Sequence, residues 1–304
     1  MIKPERLKPG GTIGIAAPAG SVDPAELARG TDRLKEMGFR VVLGESVAKR
    51  SRYLAGTDRE RAADLNRLFS SPEIEAVLCA RGGYGTARIF PYLDEDAIAR
   101  HPKILVGSSD ATVLLSHLRQ RFDLVTFHGP MAAPNFGRQP SGLTNTWFRK
   151  ILVEAYDGLI AVDGVKGLKG GQAEGPLAGG CLTMLCSTLG TPYEIRTDGC
   201  ILLLEDIDEA PYRIDRMLTQ LKDASKFKNV KGVIFGKMPG CQPPSHSRYL
   251  LEDVIGEILA DQAIPILFGF PTGHGGEQVT LPLGVRVRID GNAASVTLIE
   301  SAVR

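Results

Sequence analysis

Ile104-Leu105-Val106-Gly107-Ser108-Ser109-Asp110-Ala111-Thr112-Val113-Leu114-Leu115 reads as a buried strand, a sharp turn and a helix in direct succession. Ile104–Val106 is apolar and partly β-branched, as a buried strand requires. Val113, Leu114 and Leu118 mark the buried side of the helix that follows. A serine two residues after a glycine, between strand and helix, fits the nucleophile-elbow pattern G-x-S-x-small, with Ala111 in the last place. The turn is tight enough to need small neighbours, and it holds the Ser109 Oγ clear of the backbone. The helix offers N–H groups and a positive dipole end where a negative oxygen could form. The same four residues, Gly107 to Asp110, also read as a plain βα turn with Ser or Asp as the N-cap.

Upstream, strands and helices alternate. Thr12–Ala17, Arg40–Leu43 and Ala76–Cys79 are apolar strands, and helices are expected over Ala25–Met37 and Thr57–Phe69. Asp23-Pro24 supplies an N-cap with proline at the first helical position. Such alternation specifies a parallel sheet in an α/β fold. Sites in parallel sheets lie beyond the carboxyl ends of the strands, which selects the loops after Ala17, Cys79 and Val106. The 304 residues suit two domains. The first is expected over 1–140. A linker is placed over 141–170, where Gly158, Gly164, Gly167, Gly170 and Gly171 crowd the chain, and a second domain covers 171–304. In that domain Cys181–Leu189, Arg213–Leu221 and His246–Leu259 are expected helices. Cys200–Leu204, Val230–Phe235 and Ile264–Phe268 are expected strands. Val279–Leu281, Val285–Ile289 and Ala294–Ile299 are expected to close the chain as antiparallel strands.

A hydrophobic content of 43% with 23% charged residues is that of an ordinary globular protein. A net charge of +1 gives no general attraction to nucleic acid or to an anionic membrane, so neither is an expected partner. The five cysteines, Cys79, Cys181, Cys186, Cys200 and Cys241, form no C-x-x-C pair and mostly sit in apolar runs. Reduced core thiols of a cytoplasmic protein are therefore expected. The first residues, Met1 to Arg6, hold no apolar signal core, and no run approaches the length of a membrane span.

Of the five histidines, His101 and His246 fit surface positions, His117 fits a helix, and His128 could line a cleft. His274 differs, because Gly273, Gly275 and Gly276 surround it on a loop and let the backbone approach a partner closely. No histidine pair stands at metal-ligand spacing, so no metal is expected. Arg81-Gly82-Gly83-Tyr84-Gly85 lacks the Lys-[Ser/Thr] of a phosphate-binding loop. Beside a serine elbow, a glycine turn has another use: its N–H groups can form an oxyanion hole. It also reads as a turn that needs positive φ.

These stretches, with several others, resemble the LD-carboxypeptidases, a family of murein tetrapeptide carboxypeptidases and microcin C self-immunity peptidases. The likeness rests on Ala17-Pro18-Ala19-Gly20, Ala55-Gly56-Thr57-Asp58, Arg81 to Gly85, Gly107 to Asp110 and His128-Gly129-Pro130-Met131. It continues through Gly179-Gly180-Cys181-Leu182, Leu204 to Glu209, Pro211 to Arg216, and Gly273-His274 before Val279 to Gly284. The motifs span nearly the whole chain, in order.

The resemblance implies a flavodoxin-like N-terminal domain with a parallel sheet, joined to a smaller, β-rich α/β C-terminal domain, often as a homodimer. It implies a serine peptidase with Ser109 as nucleophile, His274 as base and Glu205 as the carboxylate that orients it. The backbone N–H groups of Gly83 and Asp110 would form the oxyanion hole. No cofactor is implied. The expected reaction is cleavage of an L,D bond that releases the terminal D-Ala of murein tetrapeptide in cell-wall recycling. Asp206, one residue past Glu205, is expected to project to the opposite side by strand alternation. Two alternatives have different ligands. The same machinery could act on an aminoacyl-nucleotide of the microcin C type, which needs an aromatic side chain to stack on adenine; Trp147, Tyr193 and Tyr212 are the candidates. A non-enzymatic two-lobe binding protein would need no serine elbow.

Overall fold

The computed structural model describes residues 1–138 and 140–304. The chain divides into two compact units. One holds residues 1–156, 276–282 and 301–304; the other holds 157–275 and 283–300.

In the first unit, β1 (Thr12–Ala16), α1 (Pro24–Glu36), β2 (Arg40–Leu43), α2 (Asp58–Ser70) and β3 (Ala76–Cys79) follow one another as the alternating pattern demands. Next come α3 (Glu95–Arg100), β4 (Ile104–Gly107), α4 (Thr112–Phe122), β5 (Thr126–His128) and α5 (Gly142–Leu152). Local signals fix the helix starts. Asp23 accepts the Glu26 N–H ahead of Pro24, and Thr57 and Glu60 form a capping box at α2. The pairs β1/β2, β1/β3, β3/β4 and β4/β5 are all parallel. The order β2-β1-β3-β4-β5 is the flavodoxin-like one, with its switch point between β1 and β3. A sixth strand, Leu281–Leu283, adds to the β5 edge. Every residue of β1, β3 and β4 is buried, which explains their unbroken apolar runs.

The second unit is built on a sheet of eight strands. These are β6 (Gly158–Leu159), β7 (Lys166–Lys169), β8 (Gln172–Cys181), β9 (Ile201–Glu205), β10 (Gly232–Gly236) and β11 (Ile266–Phe270). After β12 (Leu281–Leu283), already placed in the first sheet, β13 (Arg286–Asp290) and β14 (Ser295–Leu298) complete it. Strands β8 to β11 run parallel, and β6, β7, β13 and β14 add antiparallel edges. Helices α6 (Leu182–Ser187), α7 (Pro211–Asp223) and α8 (Leu251–Ile258) contribute Leu182, Leu185, Ile214, Leu218, Leu251 and Ile255 to its core.

Three expectations change, and one strand comes unforeseen. Residues 141–170 are not a plain linker: α5 buries Trp147, Phe148, Ile151 and Leu152 in the first unit, and β7 belongs to the second sheet. Gly179 and Gly180 belong to β8, a ten-residue strand that Pro176 and five glycines and alanines disguise. The expected terminal strand Val279–Leu281 is displaced to Leu281–Leu283 and pairs in the first sheet instead. The helix expected from His246 begins only at Leu251, where the Asp253 carboxylate accepts the Leu250 N–H.

Candidate active site

Ser109 occupies the turn between β4 and α4. Its φ is +58°, left-handed backbone that a non-glycine residue rarely adopts. Ser108, by contrast, is extended at φ −152° and buried. Strain of this kind gathers at functional turns, and here it falls on the serine that the spacing selects. Close approach from the β3 loop also constrains the turn. A Cβ on Gly82 would lie 2.7 Å from Ser109 Oγ and 3.4 Å from the Asp110 backbone nitrogen. Only glycine lets that loop pass so near the Ser109 hydroxyl. Gly83, next in line, has φ +111° and is exposed.

The Asp110 side chain works separately from its backbone. Its Oδ2 accepts the Thr86 N–H at 2.8 Å and so ties the elbow to the end of the glycine loop. Burial raises the Asp110 carboxyl above its ordinary pKa, against the opposing hydrogen bonds from Thr86. Arg61 of α2 is fully buried. Its Nη1 donates to the Pro18 carbonyl and, at 2.8 Å, to the Gly85 carbonyl, and its Nη2 pairs with Asp58. The sequence signal for Arg61 was a charge inside the apolar stripe that Leu65 and Leu68 continue at helical spacing.

In the second unit, β9 ends at Glu205, which is fully buried. Its Oε2 accepts two hydrogen bonds from one residue, from His274 Nδ1 at 2.8 Å and from the His274 backbone N–H at 3.1 Å. The side chain of His274 remains 18% exposed, so the ring is gripped from one side and open on another. Its Nδ1 contact leaves Nε2 to face chemistry, the arrangement that orients a general base. Burial acts to lower the His274 pKa. The Glu205 hydrogen bond and charge, helped by Asp206 and Asp208, outweigh it, and the net shift is upward. Gly273, at φ +94°, is what lets the loop close on the carboxylate.

Asp206 does not project freely. It is buried, and its carboxylate accepts the Thr183 N–H at 2.9 Å, the Thr183 hydroxyl at 2.8 Å and the Ile207 N–H at 2.9 Å. It therefore clamps the start of α6 to the end of β9, a role that strand alternation could not reveal. His128 is buried within β5. Trp147 is buried in α5, with its ring edge-on to Tyr156 at 5.5 Å. Among the described residues, no three His, Cys, Asp or Glu side chains gather as a metal site, and no helix is long and apolar enough to cross a membrane. All five cysteines are buried thiols outside any disulfide. A cavity of about 530 Å³, lined by Leu27, Val47, Lys35 and Arg50 among others, contains none of the candidate catalytic residues.

The structure thus places Ser109, Asp110 and Gly83 in the first unit, and Glu205 with His274 in the second. Two parts of the chain match known domains. Residues 13–129 match the LD-carboxypeptidase N-terminal domain, and residues 174–289 match the LD-carboxypeptidase C-terminal domain. A Bacillus subtilis protein, "Probable murein peptide carboxypeptidase", is 40% identical over 99% of this chain and 95% of its own length. The solved structure of the muramoyltetrapeptide carboxypeptidase from Oxalobacter formigenes is 32% identical, with a TM-score of 0.84 over 94% of this chain and 97% of its own. The apo structure of the microcin C7 self-immunity protein MccF is 28% identical, with a TM-score of 0.95 over the whole of both chains. This chain belongs to the LD-carboxypeptidase family.

Proposed function

We propose that this protein is a serine-type LD-carboxypeptidase acting on murein tetrapeptide and releasing its terminal D-Ala. The observation that carries the reading is the buried Glu205 carboxylate bonded to Nδ1 of a half-open His274, at 2.8 Å. A carboxylate so placed fixes the histidine tautomer and stabilises the imidazolium that forms when the ring takes a proton. In this reading His274 takes the Ser109 proton as Ser109 attacks the carbonyl carbon of the L,D bond. The tetrahedral oxygen is held by the Gly83 and Asp110 N–H groups. Collapse expels D-Ala, which leaves with the proton from His274, and water then resolves the acyl-enzyme by the same base. The left-handed Ser109 and the close approach of Gly82 support the nucleophile assignment. The murein substrate is supported by the names of the relatives at 40% and 32% identity.

A cytoplasmic place and a homodimeric state belong to the same proposal. Five buried thiols outside any disulfide support a reducing compartment. Sedimentation analysis tests the dimer.

The likeness to MccF favours a second reading, an aminoacyl-nucleotide substrate. Of the aromatic candidates for adenine stacking, Trp147 is buried and unsuited. Tyr212 is 60% exposed, with the Arg216 guanidinium 5.5 Å from its ring centre. Incubation with murein tetrapeptide, its all-L counterpart and an aminoacyl-sulfamoyl adenosine, followed by mass spectrometry, separates the readings. D-Ala release from the first alone is expected. Cleavage of the nucleotide alone selects the second reading, and equal rates on both peptides remove the L,D assignment.

A further inference from the structure

The loop Arg81–Gly85 is pinned at both ends. At its start the Gly20 N–H donates to the Gly82 carbonyl at 3.2 Å, and Arg81 Nη1 donates to the Ser21 carbonyl at 3.0 Å. At its end Thr86 N–H reaches Asp110, and Arg61 holds the Gly85 carbonyl. Gly83 lies between these fixed points. The Arg61 guanidinium also holds the Pro18 carbonyl, so a single side chain joins the loop after β1 to the loop after β3. Those two loops flank the switch point of the sheet, where ligands of this fold class bind.

A fully buried cation is costly unless its partners are well made. Here Asp58 supplies the counter-charge and is itself held by Arg88 through Nε at 3.1 Å and Nη2 at 2.9 Å. The planar fork of arginine bonds several acceptors in fixed geometry, which a lysine cannot reproduce. An apolar residue of equal volume would fill the space but remove the guanidinium from both carbonyls, leaving that of Gly85 with the Arg88 N–H at 3.2 Å and cutting its tie to Pro18. The loop is shaped to the guanidinium in turn. Gly85 has φ +117°, and a Cβ there would lie 3.0 Å from Arg61 Nη1 and 2.6 Å from Leu54 Cδ2.

We propose that Arg61 is a positioning residue for the oxyanion hole: its buried guanidinium holds the Gly82–Gly85 loop so that the Gly83 N–H points where the tetrahedral oxygen forms. The proposal rests on the Ser109 and Gly83 roles given above. Arg61 touches no substrate and acts through the loop. A hole donor displaced by 1 Å costs about a hundredfold in rate, because the donor acts mainly in the transition state. Loss of Arg61 therefore lowers kcat and leaves KM nearly unchanged.

The test compares Arg61→Ala, Arg61→Lys and Ser109→Ala on murein tetrapeptide, with kcat, KM and melting temperature measured for each, and with ethylguanidinium added to Arg61→Ala. The expected result is a kcat lowered about 10- to 100-fold in Arg61→Ala at nearly constant KM. Ethylguanidinium then restores part of that kcat but none in Ser109→Ala. A merely structural arginine would lower the melting temperature and leave kcat of the folded fraction intact, and that outcome overturns the proposal. If neither Arg61 variant folds, Asp58→Asn carries the test at a partly exposed carboxylate. A severalfold drop in kcat supports the role, and an unchanged kcat overturns it. Turnover retained by Ser109→Ala would instead sink the underlying catalytic reading, so the two failures are distinct.

Discussion

Gly273→Ala probes the grip of Glu205 on His274, the proposed base, without touching an ionisable group. A Cβ on Gly273 would lie 2.2 Å from Glu205 Oε2, 2.6 Å from Cδ and 2.7 Å from Cγ. Glu205 is fully buried, so it has little room to retreat. Clearing ordinary contact distance requires a shift of about 1 Å. That oxygen accepts both His274 bonds, at 2.8 and 3.1 Å, so both are disturbed together. A misplacement of this size costs about a hundredfold in turnover. The +94° backbone adds strain of about 1–3 kcal/mol, which appears as a lowered melting temperature. Gly190→Ala isolates the strain: it has φ +74° in the same unit and nothing within 4 Å of the added carbon. Both variants should lose stability, and only Gly273→Ala should lose kcat on murein tetrapeptide. Full turnover in Gly273→Ala, with a melting shift equal to that of Gly190→Ala, would refute the claim that the Glu205–His274 contact carries the rate.

Two further outcomes are expected. His274 must be neutral to accept a proton, and its pKa is raised, so kcat/KM should climb with pH through a midpoint above that of an ordinary histidine. Glu205→Gln removes the anion, moves that midpoint lower and reduces kcat by at least about a hundredfold; the comparable change in a Ser-His-Asp enzyme costs about ten-thousandfold. A midpoint unmoved in Glu205→Gln would contradict the pairing. Asp206→Asn should lower the melting temperature, because the Thr183 N–H and hydroxyl lose an anionic acceptor at a cost of about 1–3 kcal/mol. Its kcat should fall much less than that of Glu205→Gln, and the reverse ranking would place the orienting carboxylate one residue later.

The first sheet was legible because its strands are buried on both faces, and Ile104–Val106 or Ala76–Cys79 can hardly be read otherwise. The elbow was legible because the small residues at Gly107 and Ala111 are demanded by the turn itself. A Cβ on Gly107 would lie 2.8 Å from that of Ala111. Strand β8 was hidden because Gly175, Gly179 and Gly180 have little strand preference, and its place is set by neighbours on both sides, β9 and β13. The partner of Leu281–Leu283 is a long-range choice that no local pattern encodes. Helix α5 was overlooked for a different reason. Its Trp147, Phe148, Ile151 and Leu152 stand at helical spacing, but the glycines that follow masked them. Asp206 and Arg61 share a cause: each is a buried charge whose meaning lies in backbone partners far along the chain.

The most direct measurement of the central claim is release of D-Ala from murein tetrapeptide, followed by mass spectrometry, for wild type, Ser109→Ala and Ser108→Ala. Ser109 sits at the strained tip of the turn, whereas Ser108 is buried and extended. The account predicts rapid release by wild type, none above background by Ser109→Ala with the melting temperature nearly unchanged, and substantial release by Ser108→Ala. Release by Ser109→Ala at the wild-type rate, or its loss in Ser108→Ala alone, would contradict the account.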